Sequence, residues 1–279
     1  MSHSPVTLGA DPEFFITDNS RRPVPICGML GGTKGVPIRM SADLDPGFTL
    51  QEDNVMVEFN VPPTSSLNTF VTQIQSATTF LTEKIKGMGY LPSYHPEMKF
   101  PKSRLKHPQA AQFGCSPDFN AHESGQVFPK IDIEQLAIPN FGQWRFAGGH
   151  VHIGYKADVP DFVAASFADL FIGLRMAAMD PQNERRKYYG QPGRYRPTSY
   201  GIEYRTLSNF WIWDYGYLCE VGGAAHALGE YLQQTDITML RTHYQNVPWL
   251  SVQDAIRMGD SNIANQIRQF LSSELNWEI

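Results

Sequence analysis

Glu203 and Arg205 lie two apart in Gly201-Ile202-Glu203-Tyr204-Arg205-Thr206-Leu207-Ser208, where Ile202, Tyr204 and Thr206 favour a strand. Strand alternation points both to one face. An acid beside a guanidinium can be a plain cross-strand ion pair, or it can set a metal ligand next to an anion contact. Upstream groups of the same kind bear on that choice. Asp11 and Glu13 share a strand face, and paired carboxylates, costly to bury, face water, a basic group or a metal. Glu52 and Glu58 flank Asn54 on the polar face of a second strand. That face suits either solvent at an edge or, being rich in oxygen and free of cysteine, Mg²⁺ or Mn²⁺ in preference to Zn²⁺. His150 and His152 stand two apart between Gly148-Gly149 and Gly154, glycines that allow backbone or substrate to come close. Arg185, Arg186, Arg194 and Arg196 flank Gly190 and Gly193 in a turn-rich segment, read either as a solvated charge run or as guanidinium forks for phosphate. Lys34, in Gly31-Gly32-Thr33-Lys34-Gly35, lacks the spacing of a phosphate-binding P-loop and reads as a hairpin.

The elements that must position these groups follow from the periodicity. Strands are expected at Asp11–Thr17, Glu52–Asn60, Trp144–Tyr155 and Gly201–Ser208, and loop with short strands over 21–48. Leu67, Phe70, Val71, Ile74, Ala77, Leu81 and Ile85 recur at helical spacing, which predicts an amphipathic helix over 65–86 ending at Gly87-Met88-Gly89. Asp161–Met179 is nearly apolar all round and is expected as a buried helix; Glu220–Gln234 and Ser261–Leu275 are expected as closing helices. Tyr90–Asn140 reads as irregular, with a compact turn at Gly114-Cys115-Ser116-Pro117-Asp118. With no internal repeat and no clear linker, residues 1–279 are expected to form one domain.

Composition excludes some partners. A net charge of -5 without a basic run argues against nucleic acid, and the arginines gathered between Arg175 and Arg205 suit a small anion. No stretch reaches the roughly 20 apolar residues of a membrane span, and no signal peptide pattern opens the chain. Three scattered cysteines, Cys27, Cys115 and Cys219, indicate neither a disulfide framework nor a cysteine zinc site. A cytoplasmic location is the expectation.

In this order, Asp11-Pro12-Glu13-Phe14-Phe15, Gln51-Glu52 through Glu58-Phe59-Asn60, Gly148-Gly149-His150-Val151-His152, Gly193-Arg194-Tyr195-Arg196 and Ile202-Glu203-Tyr204-Arg205 resemble the glutamine synthetase and glutamate-cysteine ligase superfamily. More closely they resemble the phage-encoded carboxylate-amine (COOH-NH2) ligase family, type 2. The resemblance implies an α+β fold, a curved antiparallel sheet backed by helices, with ATP and Mg²⁺ (or Mn²⁺) on its concave face. It implies Asp11, Glu13, Glu52, Glu58, His150 and Glu203 as metal ligands or their near neighbours, and His152 near the nucleotide, with Arg185 and Arg186 assigned to cofactor binding. Arg194, Arg196 and Arg205, with Glu203, would be the catalytic set, the arginines meeting phosphate or the substrate carboxylate. The implied reaction is phosphoryl transfer from ATP to a carboxylate, then amine attack on the acyl phosphate; the substrates would be small molecules or peptides. Asp118 and Cys115 are candidates on the amine side. A phage origin would place the protein in the host cytoplasm, and oligomerisation is left open. The alternatives are a guanidino-kinase-like phosphotransferase on the same scaffold and a non-catalytic binding module.

Overall fold

A computed structural model describes residues 5–111, 118–123, 126–127, 141–181, 184–275 and 277. The strands that carry the site are β1 (Thr7–Ala10), β2 (Glu13–Thr17), β3 (Thr49–Asp53), β4 (Met56–Thr64), β5 (Phe119–Asn120), β6 (Val151–Gly154), β7 (Arg194–Thr198) and β8 (Gly201–Tyr204). They belong to one sheet and pair in the order β5-β7-β8-β6-β1-β4-β2, with β3 also on β4. Every pairing in that path is antiparallel.

The register divides the sheet into two faces. Leu8, Ala10, Val151, Ile153, Ile202 and Tyr204 meet across β1, β6 and β8 and are fully buried, which makes theirs the core face. Between them, Gly9, His152, Glu203 and Arg196 form a line of register partners across four strands on the opposite face. Alternation thus separates packing from chemistry residue by residue.

Helices back the apolar face. The helix expected over 65–86 is α1 (Leu67–Gly87), which starts where the Ser66 hydroxyl accepts from the Thr69 amide at 3.2 Å. Its buried stripe is Phe70, Val71, Ile74, Ala77, Leu81 and Ile85. Each of the large side chains among these contributes roughly 1.5–3 kcal/mol of burial. The segment expected as one buried helix over 161–179 is α2 (Asp161–Ala168), continued by a π-helical turn at Asp169–Gly173 and a short helix at Leu174–Met176. Next comes α3 (Tyr215–Gln234), which begins five residues earlier than Glu220 because Asp214 caps it. Two helices that periodicity alone did not reveal follow, α4 (Ile237–Asn246) and α5 (Trp249–Met258), before α6 (Ser261–Leu275), which matches the expected range. One apolar cluster runs from Val6 to Trp277.

All four expected strands come out differently, Gly201–Ser208 being strand only over Gly201–Tyr204. Glu52–Asn60 is a hairpin, because Asn54 sits at φ 56 and turns the chain between Asp53 and Met56. Asn is among the few residues that tolerate that left-handed conformation. Trp144–Tyr155 breaks into Trp144–Phe146, paired with Glu97–Lys99 in a separate sheet, and β6. The break is at Gly148-Gly149, where a Cβ would strike the His150 ring or the Ser208 carbonyl. Asp11–Thr17 begins only at Glu13, after Pro12, which has no amide to donate to a ladder. The arginine segment, conversely, is ordered: Arg194–Thr198 is strand, not turn.

Candidate active site

Two carboxylate groups sit side by side on the polar face. In the first, Asp11, His150 and Glu203 each offer an atom within 4.8 Å of the others, all buried. Asp11 Oδ1 lies 3.2 Å from His150 Nδ1 and 3.0 Å from His152 Nε2, and His150 Nδ1 lies 3.5 Å from Glu203 Oε1. Burial works against the Asp11 charge, yet the neighbouring His152 and His150 hold it well below the usual carboxylate range. His152 moves the other way: burial opposes its protonation, but Asp11 raises it. Its Nδ1 is 2.6 Å from the Tyr200 hydroxyl.

In the second group, Glu13, Asp53 and Glu58 lie within 4.8 Å of one another. Glu13 and Glu58 are direct register partners on β2 and β4. Burial, then repulsion from Asp11, Glu13 and Asp53, pushes Glu58 well above the ordinary glutamate value, so the two groups feel each other. Glu13 is raised too, mainly by burial. Two contacts temper the charge: Lys34 Nζ at 2.8 Å from Asp53, and the Gly148 amide donating to Glu13 at 2.7 Å. Lys34 reaches there from the hairpin expected around it, closed by a Thr33–Val36 bridge.

The hairpin at Asn54 corrects the face expected for Glu52. With two residues in the turn, the parity of the strand inverts, so Asp53 shares the Glu58 face while Glu52 pairs with Val57 on the other. The Glu52 carboxylate accepts from the Gly28 and Leu30 amides at 2.7 Å each and so ties down a loop. Asp53 takes its place in the group; the Asp-Asn dipeptide, a turn signal inside an apparent strand, was the available clue.

The arginines divide likewise. Arg185 is 2% exposed and donates to the Thr206 and Arg205 carbonyls at 2.8 and 3.0 Å; Arg186 donates to the Ala177 and Asp180 carbonyls. Both guanidinia meet main-chain carbonyls. Arg194, Arg196 and Arg205 converge on the polar face. Arg205 and Arg196 each contact one oxygen of Glu203, Arg196 at 2.8 Å, while Arg194 contacts Asp118. Asp118 Oδ1 lies 3.6 Å from Arg205 Nε and, although buried, accepts no hydrogen bond. Glu203 and Arg205 therefore share a face and an ion pair, as strand alternation predicts. Cys115, the other amine-side candidate, lies outside the described residues.

The donor sets fit divalent cations. Asp11 Oδ1, His150 Nδ1 and His152 Nε2 are buried within reach of one another, as ligands facing a common centre would be. Glu13, Asp53 and Glu58 are all-oxygen donors whose mutual repulsion a hard cation relieves. Glu203 fits less simply, since arginine engages both its oxygens.

Fold and site together define an α+β protein whose antiparallel sheet is backed by helices and bears two carboxylate groups beside an arginine cluster. The resemblance read from the motifs holds in comparison: residues 123–257 match the family described as "Phage phiEco32-like COOH.NH2 ligase-type 2". That span contains His150, His152, Glu203 and the arginines, while Asp11, Glu13, Asp53 and Glu58 precede it and meet it only in the folded sheet. No curated protein matches the chain. Among solved structures, a GmaS/ADP complex shares 12% identity over 98% of this chain and 69% of that one, with a TM-score of 0.43. Apo GmaS without ligand shares 11% over 99% and 70%, with a TM-score of 0.38.

Proposed function

We propose that the chain, acting as one catalytic unit, joins a carboxylate to an amine at the expense of ATP through an acyl phosphate. The observation that carries this reading is the meeting of two buried carboxylate groups with Arg196 and Arg205 on one rigid sheet face. Such a site has acids and guanidinia but needs no protein nucleophile, which suits a reaction governed by positioning and charge. Asp11, His150 and Glu203, together with Glu13, Asp53 and Glu58, would hold Mg²⁺ or Mn²⁺, which when bound supplies positive charge against the phosphates.

The residues of the chain do the rest. Arg196 and Arg205 receive anionic oxygens and steady the charge on the transferring group. The substrate carboxylate oxygen bonds to the γ-phosphorus as the bond to ADP breaks; the amine nitrogen then bonds to the acyl carbon, phosphate leaves, and the amine gives up a proton. Gly148 keeps the His150 ring close to Glu13 of β2, since it binds Glu13 through both its amide and its carbonyl and leaves no room for a side chain against the ring.

With ATP, Mg²⁺ and a carboxylate–amine pair, the protein should release ADP and phosphate, and Glu13→Ala and Glu203→Ala should each abolish turnover. Undiminished turnover in both variants contradicts the site. A phosphorylated product without amide favours the phosphotransferase reading.

A further inference from the structure

We infer that Lys34 sets the cation affinity of the second carboxylate group: its ammonium lies where the charge of a divalent ion would act, and the two compete for Asp53. The inference rests on the reading of Glu13, Asp53 and Glu58 as cation ligands. Lys34 Nζ stands 2.8 Å from Asp53 Oδ2, and Asp53 offers an atom within 4.8 Å of Glu13 and Glu58. The ammonium also acts beyond its direct partner. Burial raises the Glu13 carboxyl, and Lys34 is one of the charges that draw it back. Acids this close repel one another in a buried site, and a positive side chain among them eases that repulsion before any ion arrives.

The mounting of Lys34 suits it to this role. The base of its hairpin is fixed: the Glu52 amide donates to the Gly32 carbonyl at 3.0 Å, and a side chain at Gly32 would strike the Leu50 carbonyl. Above that base, Thr33 and Val36 exchange backbone hydrogen bonds of 3.2 and 2.9 Å around Lys34 and Gly35. Gly31 and Gly35 take φ of 91 and 84, conformations that glycine adopts without cost. The backbone thus carries the lysine to the acids, while the side chain itself stays 46% exposed against 11% for Asp53. An ion pair with one partner nearly half in water adds little to stability, so a structural staple is a poor account of it. The flexible lysine stem can turn toward solvent when an ion of twice its charge takes Asp53. Gly31-Gly32-Thr33-Lys34-Gly35 therefore presents its lysine to carboxylates and not, as a P-loop does, to phosphate.

The test uses neither ATP nor turnover. Mn²⁺ is titrated by calorimetry into the metal-free protein at fixed pH and salt. Lys34→Met should bind Mn²⁺ at least about tenfold more tightly than the wild type, since the ion no longer has to displace an ammonium. Lys34→Arg keeps the charge, and Lys86→Met removes one from an exposed pair with Glu83 on α1; each should stay within about threefold of wild type. A lysine that merely shapes the hairpin predicts the opposite sign, because its loss would misplace Asp53 and weaken binding. A gain below about tenfold in Lys34→Met, or an equal gain in Lys34→Arg or Lys86→Met, overturns the inference and leaves the cation reading standing. Mn²⁺ bound by neither the wild type nor Lys34→Met overturns both. If Lys34→Met does not fold, Lys34→Gln decides by the same limits.

Discussion

At the scale of single residues, the site is a balance of charges held out of water, and each has a distinct expected response. Glu58 is pushed up by burial and by its acidic neighbours, so its carboxyl keeps its proton to higher pH in the folded protein than in the unfolded chain. A group raised in this way stabilises fully below its unfolded value of about 4.3, and that contribution is lost as pH rises through the raised value. The metal-free protein should therefore be less stable at about pH 8 than at about pH 5 through this group, and Mn²⁺ should offset the fall; urea melts at both pH values check it. Glu58→Gln should stabilise the metal-free protein at the higher pH by about 1 kcal/mol or more while weakening Mn²⁺ binding at least about tenfold. Glu52→Gln should do the reverse. It leaves Mn²⁺ affinity within about threefold but costs about 1.5–3 kcal/mol, because the Gly28 and Leu30 amides lose a charged acceptor. Equal loss of Mn²⁺ affinity in both variants would return Glu52 to the site.

At the scale of elements, the hairpin at Asn54 decides which acids meet. Alternation was the right rule for Glu52 to Glu58, and the face was misread only because a turn hides inside a run of strand-forming residues. In the Gly201–Ser208 stretch no turn intervenes, and the same rule placed Glu203 and Arg205 together. The α1 stripe was legible because seven apolar residues repeat at helical spacing, whereas α4 is announced mainly by its Asp236 cap and buries Leu240 alone among its side chains. Asn54 carries more than the turn: its side chain accepts from Arg145 Nε at 2.8 Å and donates to the Ala110 carbonyl at 3.3 Å. Asn54→Ala should cost about 2–4 kcal/mol, since left-handed strain adds to the loss of a charged hydrogen bond, and Asn54→Gly should cost less. Denaturant titration that finds the two equal would remove the strain from the explanation.

At the scale of the molecule, the sheet brings an N-terminal set of acids, Asp11 to Glu58, onto a His-Arg-Glu set that begins only at His150. The motifs and their order were visible in the sequence; which atoms touch was not, because the strand order interleaves distant segments and reverses parity at a turn. Composition could suggest that the arginines gather for an anion, but burial separated them: Arg185 and Arg186 serve main-chain carbonyls, while Arg196 stays partly open. In the proposed reaction this face activates a carboxylate by phosphoryl transfer and passes it to an amine. Its most direct test is to supply ATP, Mg²⁺ and a pool of amines with carboxylates labelled in both oxygens with heavy oxygen, and to weigh the products. The account predicts an ATP-dependent amide that retains one labelled oxygen, with the other in the released phosphate, and neither product with Glu203→Ala. Amide formed with unlabelled phosphate, or ATP hydrolysed to the same extent with no condensation product from any pair, would contradict it.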